Sequence, residues 1–343
     1  MTGRERVLAV LAGQMPDHLP FMPITMMFAA DILGVKYGQY VRDYKLQADA
    51  QVKTAALFGI DHVSIIGPPA ASADLGTKIQ WFEDQPPAKV ENEALFANKS
   101  VLNRMKNPHP SFGECMEGIL RGLELMRWSV GQELLVEGWV EGPCAGAADL
   151  RGINRLMLDF SDDHGFVRDL FDFTLESAAR FSAAQIDAGA DIIGVGDAAA
   201  SLVGPRIYEE FVWPWEKKLV DAIHARGGKV RLHICGNTRR ILSSMAELEC
   251  DIVDIDFPVP LEEARTQMGS LQTLTGNLDP VRDVRNGSPR TITESLESLR
   301  FHAGEPWVVA AGCEIVRDTP HDNLHAMMKF AQTHGNSCGH AKA

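Results

Sequence analysis

Eight short apolar, β-favouring segments recur along these 343 residues, separated by stretches that mostly read as helices. The apolar segments lie near 18–24, 61–66, 133–139, 190–195, 229–234, 252–255, 271–276 and 306–310. The stretches between and after them run over 42–58, 112–130, 147–188, 205–226, 237–248, 260–267, 288–302 and 320–333. Strands alternating with helices imply a parallel sheet joined by crossover helices, and eight such units close a (β/α)8 TIM barrel. The 45% hydrophobic content supplies a core large enough for one barrel domain over 1–343.

Three segments stand outside the minimal barrel. Thr2 followed by Glu5 forms a capping-box pattern ahead of Arg6-Val-Leu-Ala-Val, which predicts an N-terminal helix. Residues 67–111 follow the second strand and hold the turn signals Gly67-Pro-Pro69, Gln85-Pro-Pro87 and Asn107-Pro-His-Pro110. Between them lie the β-like pieces Lys78–Phe82 and Ala88–Val90. An inserted hairpin and loop over the C-terminal face is expected there, and long insertions at that face usually serve function. The tail 334–343 carries His, Asn and Cys, but its spacing suits a flexible end better than a second metal site.

Active sites of such barrels sit at the C-terminal ends of the strands. Glu141 follows the third strand, Asp197 the fourth, and His233 and Cys235 close the fifth. Asp256 closes the sixth, Asn277 follows the seventh and Cys313 the eighth. In Lys229-Val-Arg-Leu-His-Ile-Cys-Gly236, His233 and Cys235 are two residues apart and so share one face. A His/Cys/Cys set suits tetrahedral zinc with a fourth position left for substrate or water. The alternative is two buried cysteines and a core histidine. Asp254 and Asp256 also share a face; Asp256, nearer the strand end, is a candidate fourth ligand or a cap of its own loop. Asp197 and Glu141 either hold His233 and orient substrate or make loop hydrogen bonds.

Charge and cysteine usage narrow the partners. A formal net charge of −13 argues against nucleic acid and against an anionic membrane surface. No apolar run reaches the ~18 residues of a membrane span, and Met1-Thr-Gly-Arg-Glu shows no signal-peptide pattern. Six scattered cysteines in a long chain fit reduced thiols and a cytoplasmic setting, not a disulfide framework.

Several segments together resemble the uroporphyrinogen decarboxylase superfamily, and within it the zinc-dependent corrinoid methyltransferases of the methylcobamide:coenzyme M type. They are Gly3-Arg-Glu-Arg-Val-Leu, Glu141-Gly-Pro143, Gly194-Val-Gly-Asp-Ala-Ala-Ala-Ser201 running into Pro205–Pro214, His233-Ile-Cys-Gly236, Thr275-Gly-Asn277 and Gly312-Cys313. The H-x-C…C set is the methyltransferase mark. The resemblance implies zinc on His233, Cys235 and Cys313, and a methyl donor, methyl-cobalamin, presented by a partner corrinoid protein. The acceptor implied is a zinc-activated thiol such as coenzyme M. It also places Asn277 at a pocket-facing position, against a turn-forming role for the same residue.

The superfamily leaves other activities open. One is demethylation of a methoxylated or methylamine substrate onto the corrinoid protein; another is transfer of methyl to folate. Decarboxylation of uroporphyrinogen fits less well. That substrate carries eight carboxylates and calls for arginine, whereas Pro23-Ile-Thr-Met-Met-Phe-Ala-Ala30 contains none. The Met-rich run Phe21–Phe28 reads as core, or as a flexible apolar lining where a corrin ring docks. A homo-oligomer is neither required nor excluded.

Overall fold

The seven main strands of the computed structural model lie side by side in one parallel sheet. The structure describes residues 1–67, 70–105 and 111–335. The turn signals that include Pro68-Pro69 and Asn107–Pro110, and the tail beyond Gly335, lie outside the described residues. In chain order the strands are β1 (His62–Ser64), β2 (Ile79–Gln80), β3 (Ala88–Lys89), β4 (Leu135–Glu141), β5 (Ile192–Gly196), β6 (Lys229–His233), β7 (Ile252–Asp254), β8 (Thr273–Thr275) and β9 (Trp307–Val308). The parallel sheet runs β1-β4-β5-β6-β7-β8-β9, while β2 and β3 form a separate antiparallel pair.

The eighth position is filled by Pro20–Met22, which lies between the two sheet edges. Asp61 N donates to the Phe21 carbonyl on the β1 side; Met22 N and Val309 N bond across to Val309 O and Pro20 O on the other. Pro20 and Pro23 have no N–H to give, so the ladder is limited to the residues between them. The segment therefore closes the barrel without being a full strand.

Inward-facing side chains build the interior in layers. At the N-terminal end, Leu135, Ile192, Ile252 and Val308 pack with Met22 and with Val7 of the helix Gly3–Leu11. That helix carries its capping box: Thr2 accepts from Glu5 N, and the Glu5 side chain accepts from Thr2 N. It plugs the bottom of the barrel. One layer up, the register sets Gly194 beside both Trp139 and Arg231. A Cβ at Gly194 would come within 2.3 Å of the Trp139 ring, so glycine makes the room that the indole fills.

The middle layer is charged. Arg231 Nε donates to both oxygens of Asp254 at 2.9 and 3.0 Å, and its Nη1 reaches Glu137 at 3.3 Å. His62 Nε2 lies 3.3 Å from the Glu137 carboxylate. All four are buried. Burial alone would raise the Glu137 pKa, but Arg231 and His62 outweigh it and hold the carboxyl at about 2.

The long stretch 147–188 is not one helix. It divides into Pro143–Arg151, Ile153–Asp162 and His164–Asp187. Gly152, at φ +86°, turns the chain at the first break, and the Asp163 side chain caps the next helix by accepting from Phe166 N. Among the described residues, no helix is long and apolar enough to cross a membrane.

Candidate functional site

β6 ends at His233, and three residues later the chain turns at Gly236, whose φ is +92°. Cys235 therefore leaves the strand on the same face as His233, and its Sγ lies 3.3 Å from His233 Nε2. Cys313 comes from beyond β9. Gly312 brings it in: its amide bonds to Leu278 O at 2.8 Å, and a Cβ there would come within 2.5 Å of Phe257 N. Cys313 Sγ then stands 3.6 Å from the same His233 nitrogen. The three ligand atoms all lie within 4.8 Å of one another.

The other face of the imidazole is fixed. His233 Nδ1 lies 2.9 Å from Asp254 Oδ2, and Asp254 is held by Arg231. The carboxylate sets the tautomer and aims Nε2 at the two thiols, as the outer partner of a metal-bound histidine does. Burial opposes a charge on His233, but Asp254 and Cys313 outweigh it and push the pKa up to about 10. Cys235 is lowered, first because Cys313 donates to it; Cys313 is raised by that same contact and by burial.

These positions fit a metal ion. Zinc bonds of about 2.3 Å to sulfur and about 2.0 Å to nitrogen place tetrahedral ligand atoms roughly 3.6–3.8 Å apart. The observed N···S separations of 3.3 and 3.6 Å are close to that. The donor set is soft and mixed, with the non-ligating ring nitrogen already satisfied.

The site opens into a cavity of about 270 Å³ with mostly apolar walls that include Ile24, Ile119, Trp139 and Phe181. His233, Cys235 and Cys313 form one part of its lining; Glu141 and Asp149 belong to another. Burial, and next the neighbouring Asp149, push the Glu141 carboxyl up to about 8.

Three of the residues singled out in the sequence are turned elsewhere. Asp256 is not within the ligand group. Its Oδ2 accepts from Gly236 N at 2.6 Å and its Oδ1 from Phe257 N at 2.7 Å, so it caps its loop and steadies the turn after Cys235. Asp197 meets His233 only through the backbone, its N–H donating to His233 O at 3.0 Å, and its side chain does not hold the ring. Fully buried, it accepts from Cys144 N and Ala145 N at the start of the helix Pro143–Arg151. Asn277 gives its side-chain N–H to the carbonyls of Val259 and Asp256, and so ties the loops together without reaching the cavity. Short polar side chains beside strand ends satisfy loop backbone as readily as they face a pocket.

The residue that holds His233 is Asp254, and the cation behind it is Arg231. Strand alternation was the available signal: Arg231 and His233 are two apart, as are Asp254 and Asp256. Asp149, in the helix after β4, carried no strand-end signal at all.

The uroporphyrinogen decarboxylase (URO-D) family model matches residues 2–334. The chain belongs to the URO-D family. Within it, the chain is 27% identical to the methylcobamide:CoM methyltransferase MtbA of Methanosarcina mazei, over 97% of this chain and 98% of that protein. MtbA of Methanosarcina acetivorans is 28% identical over the same shares. A solved methyltransferase from Methanosarcina mazei superposes with a TM-score of 0.84 at 21% identity, covering 97% of this chain and 99% of the other. That likeness establishes the URO-D barrel fold.

Proposed function

We propose that this URO-D family member is a corrinoid-dependent methyltransferase. It moves a methyl group between methyl-cobalamin, carried by a partner corrinoid protein, and a small thiol at His233, Cys235 and Cys313. The observation that carries this reading is the meeting of one imidazole nitrogen and two thiols, from distant parts of the chain, on the wall of an apolar cavity. The similarity to methylcobamide:CoM methyltransferases over nearly the whole chain supports the same chemistry.

His233, Cys235 and Cys313 would hold zinc. When bound, zinc would keep a substrate thiol deprotonated at neutral pH. The chain's own residues do the rest. Asp254 fixes the His233 tautomer, Arg231 fixes Asp254, and Asp256 fixes the turn that presents Cys235. The apolar walls exclude water from a nucleophilic sulfur, which strengthens electrostatic contacts within the cavity.

Decarboxylation of uroporphyrinogen is disfavoured by charge. Among the described residues no arginine or lysine lines the cavity, whereas Glu141, Asp149 and Glu314 do. The test is methyl transfer from methyl-cobalamin to a thiol, followed by the change in the corrinoid spectrum. Cys235→Ser and Cys313→Ser should abolish it while leaving the far-UV circular dichroism intact. Full transfer by the metal-free double variant would sink the reading.

A further inference from the structure

The second polar group on the cavity wall has no role in holding a metal. Asp149 is 8% exposed, and its two oxygens differ. Oδ1 is paired with Lys89 of the β2–β3 hairpin, while Oδ2 is buried with no hydrogen-bond partner among the described residues. The Glu141 side chain, on the same wall, makes no hydrogen bond among the described residues. A buried acceptor left unsatisfied costs free energy that a ligand donor recovers. One cavity wall thus holds a carboxyl with no side-chain partner, Glu141, and a second, Asp149, with one oxygen unsatisfied.

The nearest fixed cation does not supply that partner. Lys89 is engaged with Asp149 Oδ1 and is not part of the cavity lining. The remaining wall is apolar or acidic apart from the hydroxyls of Ser72, Thr174 and Ser177, and no lysine or arginine among the described residues faces the cavity. A sulfonate or carboxylate on the ligand would meet Glu141, Asp149 and Glu314, with the one neighbouring cation, Lys89, already paired to Asp149 and outside the lining. An ammonium would meet the Glu141 carboxyl, which has no side-chain partner, beside the buried Asp149. Its arrival would also favour ionisation of Glu141, whose proton is otherwise retained in the buried, acidic surroundings.

We infer that Glu141 and Asp149 form a cation-accepting wall, and that the small molecule reaching the His233–Cys235–Cys313 group carries a protonated nitrogen. This inference rests on the methyl-transfer reading and deepens it by naming the substrate class: an amine-bearing thiol rather than an anionic one. The specificity comes from the repulsive side as much as the attractive one, because the same carboxyls penalise an anionic head group.

Three two-carbon thiols separate the possibilities, because they share the sulfur and differ only in the head group. They are cysteamine (cationic), 2-mercaptoethanol (neutral) and 2-mercaptoethanesulfonate (anionic). Binding to the zinc-loaded protein is measured by calorimetry at pH 7, and methyl transfer from methyl-cobalamin is followed in parallel. Cysteamine should bind about tenfold or more tighter than the sulfonate, as one charge-assisted hydrogen bond would give. Glu141→Gln and Asp149→Asn should each shrink that preference, mainly by weakening cysteamine. Glu141→Gln leaves the Lys89 pair intact and so provides a folded variant if Asp149→Asn fails to fold.

Sulfonate binding as tight as cysteamine, or no cysteamine binding, overturns the inference. A preference unchanged in folded Glu141→Gln overturns it as well. Methyl transfer to the sulfonate with that result would leave the methyltransferase reading standing. A cysteamine preference without methyl transfer to any of the three thiols would support the cationic wall and remove the methyltransferase reading instead.

Discussion

His233 shows how much one side chain depends on residues that never touch substrate. Its Nδ1 is held by Asp254, and Asp254 by Arg231. Asp254→Asn should lower metal affinity by about 10–100-fold, the usual cost of losing an outer partner of a ligand histidine. Competition with a chromophoric chelator measures it; unchanged affinity would mean that Asp254 serves only the ion network. Glu141 sets a second expectation. An unfolded glutamate titrates near ~4.3, whereas burial and Asp149 hold Glu141 at about 8 in the fold. The folded state keeps the proton, so stability declines as pH rises from ~4.3 and levels off above about 8. Glu141→Gln should flatten that part of the stability–pH curve, which thermal melts across pH 4–9 would show. Both side chains were reached by different routes in the sequence. The i, i+2 spacing of His233 and Cys235 was legible, while the choice between Asp254 and Asp256 needed the register of β7 against β6.

Individual elements carry the layered interior that aims the site. β4, β6 and β7 contribute Glu137, Arg231 and Asp254 to one buried ion network. Glu137→Gln should destabilise the protein by about 3–5 kcal/mol, because it leaves Arg231 short of counter-charge in a buried layer. Equilibrium denaturation tests this. The Glu137 pKa is depressed to about 2, so its contribution is present above the unfolded value of ~4.3 and is lost as pH falls through about 2. Gly194→Ala should cost about 1–3 kcal/mol, since its Cβ would push on the Trp139 ring and the backbone has little slack. A calorimetric melting shift would register it, and so would weaker ligand binding, because Trp139 lines the cavity. Alternating apolar runs made most strands legible. Pro20 and Pro23 explain why the first one closes the barrel as a short bridge, and the φ of Gly152 explains why 147–188 breaks into three helices.

At the level of the whole molecule, convergence is what the sequence could suggest but not establish. Strand ends of a parallel barrel collect at one face, so Glu141, His233, Cys235 and Cys313 were expected near one another, and all four line one cavity. Asp197 and Asn277 were expected there on the same ground, yet Asp197 is bound to the first turn of a helix and Asn277 to loop backbone. Proximity follows from topology; direction follows from which backbone groups are left unpaired, and that is settled only in three dimensions. Asp149 was silent in the sequence because it projects from a helix rather than a strand end. The first determination to make is the metal content of the purified protein, by elemental analysis of wild type beside Cys313→Ser. About one equivalent of zinc per chain in the wild type and little in the variant is the expected result. Absence of stoichiometric metal in wild type prepared under reducing, chelator-free conditions would contradict the zinc–thiol chemistry assigned to this barrel.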